Sequence, residues 1–529
     1  MGEPYYLTTA IFYPSPAPAL HSMFEAIGAD VIARYQRLLG RDVRFLTGMD
    51  EHSANLERQA RERGAEPRPL VDEWAANWRA GFDRFGISYD RFIRTTDPDH
   101  ARASSEMVRR AQAAGDIYKG TYAGWFCIGD NEFKTESQIV DGRCPDHPTL
   151  ELQWLEEENY FFRLSRYQGA LEELYATNPG FCEPEHFRNE VLGWLREGLT
   201  DFSVSRAGTN WGIPFPGDPE HRIYVWFDAL TNYLTGAGFP DDADSFARFW
   251  PADLHVIGKN ITRFHCLYWP AMLMSVGLPL PRQVFAHGFM LMRGERMSKT
   301  RGNILDPEVA MGLFGVDGVR YLVLREIPFD RDGDVTADGL VRRYNADLAN
   351  DLGNLLNRTV SMSARYLSGA LPPLPLKDAA APDVELRAAA GAAFEAYTAA
   401  MALHHLDEAL GAVMDLTRSV NGYAESQAPW ALSAVGETER VGEVVGAMAE
   451  ACRILGHLIA PFAPAAARAL HEQLGAPPPY DERGAGGPGL DQLVAWGSGP
   501  TPWQTGVAQP LFPRVELPVD DAAGSGSAS

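Results

Sequence analysis

The sequence predicts an α/β fold in which a parallel sheet is split by an inserted segment and followed by a helical bundle. Three observations support this prediction. Strand-like and helix-like stretches alternate near the N-terminus, residues 117–223 are rich in aromatic residues and turns, and the chain after residue 340 is helical almost throughout. Because 529 residues are too many for one hydrophobic core, we expect about two to four domains.

The N-terminal region predicts the beginning of the sheet. Residues 5–13 are β-branched and aromatic, and a Pro-rich turn ends this predicted strand. Residues 20–39 have helical spacing, residues 43–46 form a second predicted strand, and residues 54–87 are predicted to be helical. Strand, helix and strand in this order are typical of a parallel α/β sheet.

Three short stretches continue the sheet after the inserted segment. Residues 224–227 are strand-like, and residues 255–258 and 284–288 read as the ends of further strands. The sheet domain is therefore one domain that the chain leaves and re-enters. We assign its first half to residues 1–116, the insertion to 117–223 and its second half to 224–340.

The C-terminal half predicts the helical bundle. Residues 384–416 and 441–474 are alanine-rich and amphipathic, and no strand signal competes with them. We assign residues 341–475 to the bundle and residues 476–529, which are rich in Pro and Gly, to a C-terminal extension with a flexible tail. The apolar stretch 454–467 is short and interrupted by prolines, so it predicts a buried helix rather than a membrane span.

The composition excludes some classes of protein. A formal net charge of −23 argues against general affinity for nucleic acid, although local basic patches can hold RNA on an acidic enzyme. The N-terminus has no signal-peptide character, and the five cysteines lie far apart. We therefore expect a cytoplasmic protein with no disulfide framework and no membrane association.

Two pairs of residues have the spacing of metal ligands. Cys127 and Asp130 form a C-x-x-D pair, and Cys144 and His147 form a C-x-x-H pair shortly afterwards. Two such hairpins are how proteins hold one tetrahedral zinc ion, and aspartate is a legitimate ligand. The sequence therefore predicts a Zn²⁺ site, and the alternative is a knuckle held by packing without a metal.

A basic loop is the sharpest chemical motif. Residues 296–303 read RMSKTRGN and follow a strand that ends in His287 and Gly288. A mobile lysine such as Lys299 can neutralise charge on a leaving pyrophosphate, which is electrostatic stabilisation of a transition state. The loop resembles the KMSKS loop of class I aminoacyl-tRNA synthetases, in which the second lysine reaches the phosphates of ATP.

The resemblance extends over most of the chain to one family, the methionyl-tRNA synthetases. Matching segments are TGMDEH at 47–52, YVWFDA at 224–229, HVIGKN at 255–260, FH at 264–265, DLANDLGNLLNR at 347–358 and NGYAESQAPW at 421–430. The resemblance implies a class I synthetase Rossmann-type sheet, split by a zinc-knuckle insertion and followed by an anticodon-binding helical bundle. It also implies a cytoplasmic ligase of protein biosynthesis that uses methionine, ATP with Mg²⁺, and both initiator and elongator methionine tRNAs.

The resemblance assigns roles to individual positions. Asp50 would hold the ammonium group of the amino acid, and a thioether is well suited to an aromatic pocket. The remaining amino-acid contacts would come from Ile11, Tyr13, Trp226, Leu230, Tyr233 and His265. ATP would be bound by Gly258, Asn260, His287, Arg296, Ser298, Lys299 and Thr300. The anticodon would be read by Asn354, Arg358 and Trp430, through base edges and stacking.

The chain departs from the family at its second signature, HIGH, where two histidines meet the ATP phosphates at a helix N-terminus. The matching residues are Ala19, Leu20, His21 and Ser22, so both histidines are absent. His21 would not replace either of them, because one helical position turns a side chain by roughly 100°. Each lost transition-state donor costs on the order of 10²–10³ in rate. Ser22 could keep one weaker hydrogen bond, and a shifted register in the preceding turn would restore a role for His21.

Two further departures leave three functions open. Asn260 replaces an aspartate of the family, and Leu230 replaces a position that is often proline. The first hypothesis is a monomeric methionine–tRNA ligase with catalytic residues Lys299, His21 and Ser22. The second is a paralogue that transfers an activated amino acid to a small-molecule acceptor. The third is a non-catalytic tRNA-binding paralogue.

Overall fold

The computed structural model describes residues 2–128, 132–134, 139–145, 148–292, 294–296, 306–375, 379–478 and 489–516. The chain divides into two compact units. The sheet unit consists of Glu3–Pro18 and Asp42–His287, and the helical unit consists of Met1–Gly2, Ala19–Arg41 and Gly288–Ser529. Among the described residues, no helix is long and apolar enough to cross a membrane.

The strands are numbered in chain order. They are β1 (Pro4–Phe12), β2 (Asp42–Met49), β3 (Arg91–Arg94), β4 (Ile117–Cys127), β5 (Glu132–Lys134), β6 (Gln153–Phe162), β7 (Cys182–Glu183), β8 (Phe202–Ser203), β9 (Ser205–Ala207), β10 (Pro214–Phe215), β11 (Asp218–Ile223), β12 (Leu254–Gly258), β13 (Val284–His287), β14 (Met290–Met292), β15 (Glu295–Arg296), β16 (Gly333–Val335), β17 (Ala370–Leu371) and β18 (Trp503–Gln504).

The α-helices are numbered in the same way. They are α1 (Leu20–Leu38), α2 (Ala54–Glu62), α3 (Pro67–Arg84), α4 (Pro98–Ala113), α5 (Gln168–Thr177), α6 (Glu185–Glu197), α7 (Val225–Ala237), α8 (Ala243–Phe249), α9 (Trp269–Ser275), α10 (Pro307–Glu326), α11 (Ala337–Arg343), α12 (Asn354–Leu367), α13 (Ala381–Ala402), α14 (Leu406–Gln427), α15 (Pro429–Ala434), α16 (Thr438–Ile459), α17 (Pro464–Leu474) and α18 (Leu490–Leu493). Shorter 3-10 turns lie at Leu164–Tyr167, Pro179–Phe181 and Lys259–Ile261, and wider π segments lie at Phe264–Tyr268 and Tyr344–Gly353.

A six-stranded parallel sheet forms the centre of the sheet unit, and it confirms the predicted parallel fold. Its strand order is β3-β2-β1-β12-β13-β7, and every neighbouring pair is parallel. The chain extends the sheet from β1 through β2 to β3 on one side, and from β12 to β13 on the other. The edge strand β7 lies inside the predicted insertion, 117–223, and pairs with β13.

Two small antiparallel sheets account for most of the aromatic segment between β4 and β11. One has the order β5-β4-β6-β8 and the other β10-β11-β9. The long antiparallel pair of β4 and β6 carries several aromatic residues, and the facing Trp125 and Trp154 stabilise it with ring centroids 5.3 Å apart.

The predicted helical bundle is confirmed in the helical unit. Helices α12, α13, α14, α16 and α17 pack together around a core of Ala, Leu, Val and Met side chains. Every residue of α1 except His21 is buried. Arg320 of α10 fastens α1 to the bundle, because its guanidinium lies 2.6 Å from Asp30 and donates to the carbonyls of Pro461 and Phe462 at 2.9 Å.

Several local predictions were wrong. Residues 224–227 form no strand: Tyr224 precedes α7, and the run belongs to that helix. All of α7 except Trp226 is buried, and a helix that is buried on every side lacks the alternation of apolar and polar faces that separates it from a buried strand. The predicted helix at 54–87 is two helices, since residues 63–66 separate α2 from α3.

The C-terminal extension is more ordered than its Pro and Gly content indicates. Strand β18 pairs with β17, the Trp503 indole donates to the Leu474 carbonyl at 2.7 Å, and Val515 exchanges two hydrogen bonds with Asn345. Residues 489–516 therefore pack on the bundle through scattered apolar side chains, and the flexible tail at the end of the chain stays a prediction. Residues 517–529 lie outside the part of the chain that the structure describes.

Candidate active site

The predicted amino-acid and ATP residues of the sheet unit meet at one edge of the parallel sheet. In an open parallel sheet, ligands bind at the carboxyl ends of the strands, where the strand order reverses direction. That reversal lies between β1 and β12. Ile11 lies near the end of β1, Asp50 directly follows β2, and Gly258 and His287 end β12 and β13.

A bulge in β1 orients the first pocket residue. Thr8 pairs with Leu46, but Ile11 pairs with Gly48, so β1 contains one extra residue at this place. Ile11 is half-buried and packs against the core of the sheet unit. Tyr13, which follows β1, is 44% exposed.

Helix α7 supplies three of the predicted pocket residues. Leu230 and Tyr233 are buried, and Trp226 stacks on Phe264 with ring centroids 3.6 Å apart and ring planes 6° apart. The Trp226 indole nitrogen is buried and has no hydrogen-bond partner within the described part of the chain.

Tyr233 and His265 form a buried hydrogen-bonded pair. The Nδ1 atom of His265 lies 3.0 Å from the Ile261 carbonyl, so this nitrogen donates, and Nε2 accepts from the Tyr233 hydroxyl at 2.6 Å. Burial lowers the pKa of His265 to about 4. The imidazole is therefore neutral at physiological pH. His265 lies in the π segment Phe264–Tyr268, a feature often found at functional sites.

Asp50 presents an unused carboxylate oxygen. Its side chain is 4% exposed and accepts a hydrogen bond from the backbone N–H of His52. The Oδ1 atom is buried and, among the described residues, has no hydrogen-bond partner. Burial raises the pKa of Asp50 well above its ordinary value, and the negative charge of Asp228 raises it further. A cation placed against Oδ1 would relieve both effects.

A buried hydrogen-bond network around Asp228 was not predicted from the sequence. The Asp228 carboxylate lies 2.7 Å from His52 Nδ1 and 2.7 Å from His100 Nε2, and Ser104 donates to it at 3.0 Å. Burial opposes ionisation of Asp228, but the two histidines outweigh burial and hold its pKa well below its usual range. The segments TGMDEH and YVWFDA carried His52 and Asp228, yet the partner His100 on α4 lies in neither.

The structure brings together three of the predicted ATP residues. A Cβ atom added to Gly258 would lie 2.8 Å from Asn260 Oδ1 and 3.7 Å from His287 Nε2, so Asn260 and His287 converge on the glycine. A side chain at position 258 would therefore displace the Asn260 carboxamide. Ser298, Lys299 and Thr300 lie outside the described residues. The backbone of Arg296 belongs to β15, which pairs with β14.

Helix α1 begins at the degenerate HIGH segment. Ala19 precedes the helix, Leu20 is its first residue, and the backbone N–H groups of Ser22 and Met23 both donate to the Ala19 carbonyl at 3.0 Å. His21 is exposed, whereas Leu20 and Ser22 are buried. Consecutive helical positions thus have different surroundings, as the 100° rotation per residue requires.

Only half of the predicted zinc set can be described. Cys127 ends β4, Cys144 follows a tight turn in which Val140 pairs with Arg143, and both cysteines are buried. Asp130 and His147 lie outside the described residues. Within the part of the chain that is described, no three potential ligands converge. Thiolates are ligands that zinc prefers, and both cysteines remain candidates.

The predicted anticodon residues lie together in the helical unit. Asn354 is the exposed first residue of α12, and Arg358 lies one turn later. The Arg358 guanidinium lies 5.6 Å from the centre of the Trp430 ring and 2.8 Å from Glu425. Trp430 is 41% exposed, which leaves its ring available to a stacking base.

Comparison with known proteins gives consistent results. The family described as tRNA synthetases class I (M) matches residues 5–153 and 149–360. The chain is 42% identical over 528 residues to the methionine–tRNA ligase of Thermosynechococcus vestitus, covering 98% of this chain and 99% of that protein. It is 44% identical over 524 residues to the methionine–tRNA ligase of Mycobacterium bovis, covering 98% and 99%.

Solved structures resemble the whole chain. The methionyl-tRNA synthetase of Mycobacterium tuberculosis in complex with methionyl-adenylate matches with a TM-score of 0.90 and 43% identity, covering 97% of this chain and 100% of that one. The apo form of the M. tuberculosis protein matches with a TM-score of 0.84 and 40% identity, covering 98% and 99%. The similarity thus includes both the sheet unit and the helical unit.

Proposed function

The chain belongs to the class I methionyl-tRNA synthetases, and from this premise we propose that it joins methionine to tRNA. In the first step, the methionine carboxylate attacks the α-phosphorus of ATP, which forms methionyl-adenylate and releases pyrophosphate. In the second step, a hydroxyl of the terminal ribose of the tRNA attacks the acyl carbon and releases AMP. A solved relative with bound methionyl-adenylate supports ATP as the activating substrate.

The observation that carries the proposal is the unpartnered oxygen of the buried Asp50 carboxylate in the described structure. A buried carboxylate with one oxygen unpartnered in the described structure is costly, by about 1–3 kcal/mol, unless a ligand supplies the partner. The ammonium group of an amino acid is such a ligand, because it forms a charge-assisted hydrogen bond. Asp228, which raises the pKa of Asp50, lies on the same helix as Trp226, Leu230 and Tyr233.

The pocket residues support a thioether side chain. Trp226, Tyr233 and His265 offer aromatic surfaces, and Ile11 and Leu230 offer apolar ones. Sulfur–aromatic contacts favour methionine over a purely aliphatic residue of equal length. The neutral His265 adds no charge that would repel or trap a polar competitor. We assign the exposed Tyr13 to the mouth of the pocket.

The ATP end of the site is assigned by family position and by the convergence at Gly258. Asn260 and His287 would contact the nucleotide, and Arg296, Ser298, Lys299 and Thr300 would hold its phosphates. Lys299 would neutralise the pyrophosphate as it leaves. Mg²⁺ would accompany the phosphates and supply further positive charge.

The remaining contacts concern the tRNA and zinc. Asn354, Arg358 and Trp430 would read the anticodon, which the Arg358–Trp430 contact supports. Cys127 and Cys144, together with Asp130 and His147, would hold a zinc ion that stabilises the knuckle. We further propose that the protein acts as a monomer in the cytoplasm, where tRNA is charged.

The decisive experiment is amino-acid-dependent ATP–pyrophosphate exchange with each natural amino acid, followed by charging of initiator and elongator methionine tRNAs. Exchange with methionine and charging of both tRNAs is the expected result. Exchange without charging would instead indicate transfer to a small-molecule acceptor. No exchange with any amino acid, together with retained tRNA binding, would indicate a non-catalytic paralogue.

A companion variant tests the departure at α1. The triple substitution Ala19→His, His21→Gly and Ser22→His restores the HLGH pattern of the family. If the missing donors limit the first step, exchange should rise by on the order of 10² or more. An unchanged rate would show that other groups meet the phosphates in this protein.

A further inference from the structure

The loop that carries Asp50 is fixed at each of its next two residues. The buried Glu51 carboxylate lies 2.6 Å from the Arg94 Nε atom, and the Thr96 hydroxyl donates to it. The Trp211 indole donates to the Glu51 carbonyl at 2.6 Å. His52 is held differently, because its Nδ1 atom lies 2.7 Å from Asp228. In the described structure, Asp50 Oδ1 is the acceptor of this loop that remains unused.

Asp228 is itself anchored on the side away from His52. Its Oδ1 atom lies 2.7 Å from His100 Nε2 and accepts from the Ser104 hydroxyl at 3.0 Å, while its Oδ2 atom faces His52. His100 and Ser104 are one turn apart on α4, and His100 also contacts Thr235 of α7 at 3.1 Å. The carboxylate therefore joins α4, α7 and the loop after β2.

His52 links Asp228 to Asp50. Its side chain is fixed by Asp228, and its backbone N–H donates to the Asp50 carboxylate. The position of that N–H depends on the rotation of the peptide, which the side-chain contact restrains. An unrestrained His52 would let the Asp50 carboxylate turn away from the ligand. The binding of an ammonium group would then first have to order that carboxylate.

We propose that Asp228 is a positioning residue for amino-acid binding, which acts through His52 to hold the Asp50 carboxylate where an ammonium group is bound. The inference rests on the proposed function, because it describes how the same site is held. It also gives α7 a double role: the helix lines the pocket for the amino-acid side chain and fixes the group that binds the amino-acid nitrogen.

A competing effect has the opposite sign. The charge of Asp228 repels that of Asp50, so its removal would make Asp50 easier to ionise and would strengthen the binding of a cation. A positioning role predicts that removal of the Asp228 charge weakens methionine binding, whereas a role through repulsion alone predicts that its removal strengthens methionine binding. The sign of the change in methionine KM therefore decides between them.

Two substitutions test the positioning role of Asp228 in methionine-dependent ATP–pyrophosphate exchange. Asp228→Asn removes the charge, and His52→Ala removes the side chain that Asp228 holds. Each should raise the KM for methionine by about tenfold or more, the loss expected for one charge-assisted hydrogen bond. The KM for ATP and the kcat should stay within about twofold, because the contacts to ATP are unchanged. A methionine KM that is unchanged or lower in both variants would overturn the proposal.

A conservative variant and a matched control separate positioning from folding. His52→Asn keeps an N–H donor at about the distance of Nδ1 and should restore methionine KM to within about threefold of wild type. Asp383→Asn removes another buried carboxylate, from the helical bundle, and should leave KM unchanged. If thermal denaturation shows that Asp228→Asn does not fold, the difference in methionine KM between His52→Ala and His52→Asn still tests the positioning role.

A double-mutant cycle identifies the route of the effect. In an Asp50→Asn background, Asp228→Asn should add no further loss of methionine affinity, because the group that it positions is already disabled. Additive losses would overturn the route through Asp50. Wild-type exchange is measured first, so absence of methionine-dependent exchange contradicts the proposed function, whereas exchange that is insensitive to His52 and Asp228 contradicts only the inference.

Discussion

Replacement of Asp50 by asparagine should weaken methionine binding and stabilise the ligand-free protein. The side chain keeps its size and can still accept from the His52 backbone N–H. What it loses is the charge of a buried carboxylate whose Oδ1 atom has no partner in the described structure. Groups arranged to bind a ligand commonly cost stability in its absence.

The magnitudes follow from the contacts. Loss of a charge-assisted hydrogen bond to the ammonium group should raise methionine KM by about ten- to a hundredfold. Removal of a buried and incompletely partnered charge should stabilise the ligand-free protein by about 1–2 kcal/mol, because a neutral amide is less costly to bury than a carboxylate. For a unit of this size, that corresponds to a rise in Tm of about 2–8 °C.

The pH dependence has a defined sign. A carboxyl whose pKa is raised on folding holds its proton more tightly in the folded state than in the unfolded state. The stability of the wild type therefore falls as the pH rises from the unfolded pKa to the folded pKa, and the penalty is complete above the folded pKa. Asparagine has no such titration, so the stabilisation by Asp50→Asn should grow as the pH rises.

Differential scanning fluorimetry without ligand, over about pH 5.5 to 8.5, measures this difference. Asp383→Asn is the matched control with the opposite sign. Burial alone would raise the pKa of Asp383, but hydrogen bonds from Arg440 and Tyr423 outweigh burial and lower it. That variant should be less stable than wild type by a constant amount over this range, because the deficit shrinks only as the pH falls below the unfolded pKa toward the lower folded pKa. The reasoning about Asp50 is refuted if Asp50→Asn is no more stable than wild type at the upper end of the range.

Further predictions concern other parts of the molecule. Tyr233→Phe leaves the Nε2 atom of His265 without its donor and should lower stability by about 1–3 kcal/mol and raise methionine KM, measured by denaturation and exchange. Trp430→Ala should raise the KM for tRNA by about tenfold, through lost stacking, while pyrophosphate exchange stays at the wild-type rate. Lys299→Ala should lower the kcat of exchange by on the order of 10²–10³ with an unchanged methionine KM. Cys127→Ser should reduce bound zinc measured by mass spectrometry, and zinc-free wild type would contradict the assigned site.

The sequence predicted the elements whose signals are local. The strand at β1 and the helix at α1 agree with the structure to within one or two residues, because β-branched runs and helical spacing depend only on neighbours. It failed at α7, where burial on all sides removes the polar face that marks a helix. It gave no sign that residues 489–516 pack on the bundle, because a high Pro and Gly content conceals the few side chains that make these contacts.

The residues of the candidate site also fall into those that the sequence identified and those that it could not. The sequence identified Asp50, Trp226, Tyr233 and His265 as candidates through the resemblance to a family, and it identified the departure at Ala19 to Ser22. It could not identify His100 as a partner of Asp228, because the two residues are distant in the chain and no local pattern links a histidine on α4 to an aspartate on α7.

By itself, the sequence determined the fold class, the family and the residue types available to the chemistry, because these follow from local patterns and shared motifs. Only the tertiary structure decided which polar atoms are satisfied by other residues and which are left for a ligand. Asp50 and Asp228 are both buried aspartates near β2 and α7, yet Asp228 is enclosed by two histidines and a serine. Asp50 keeps one oxygen unused among the described residues, and that difference arises from contacts between residues far apart in the chain.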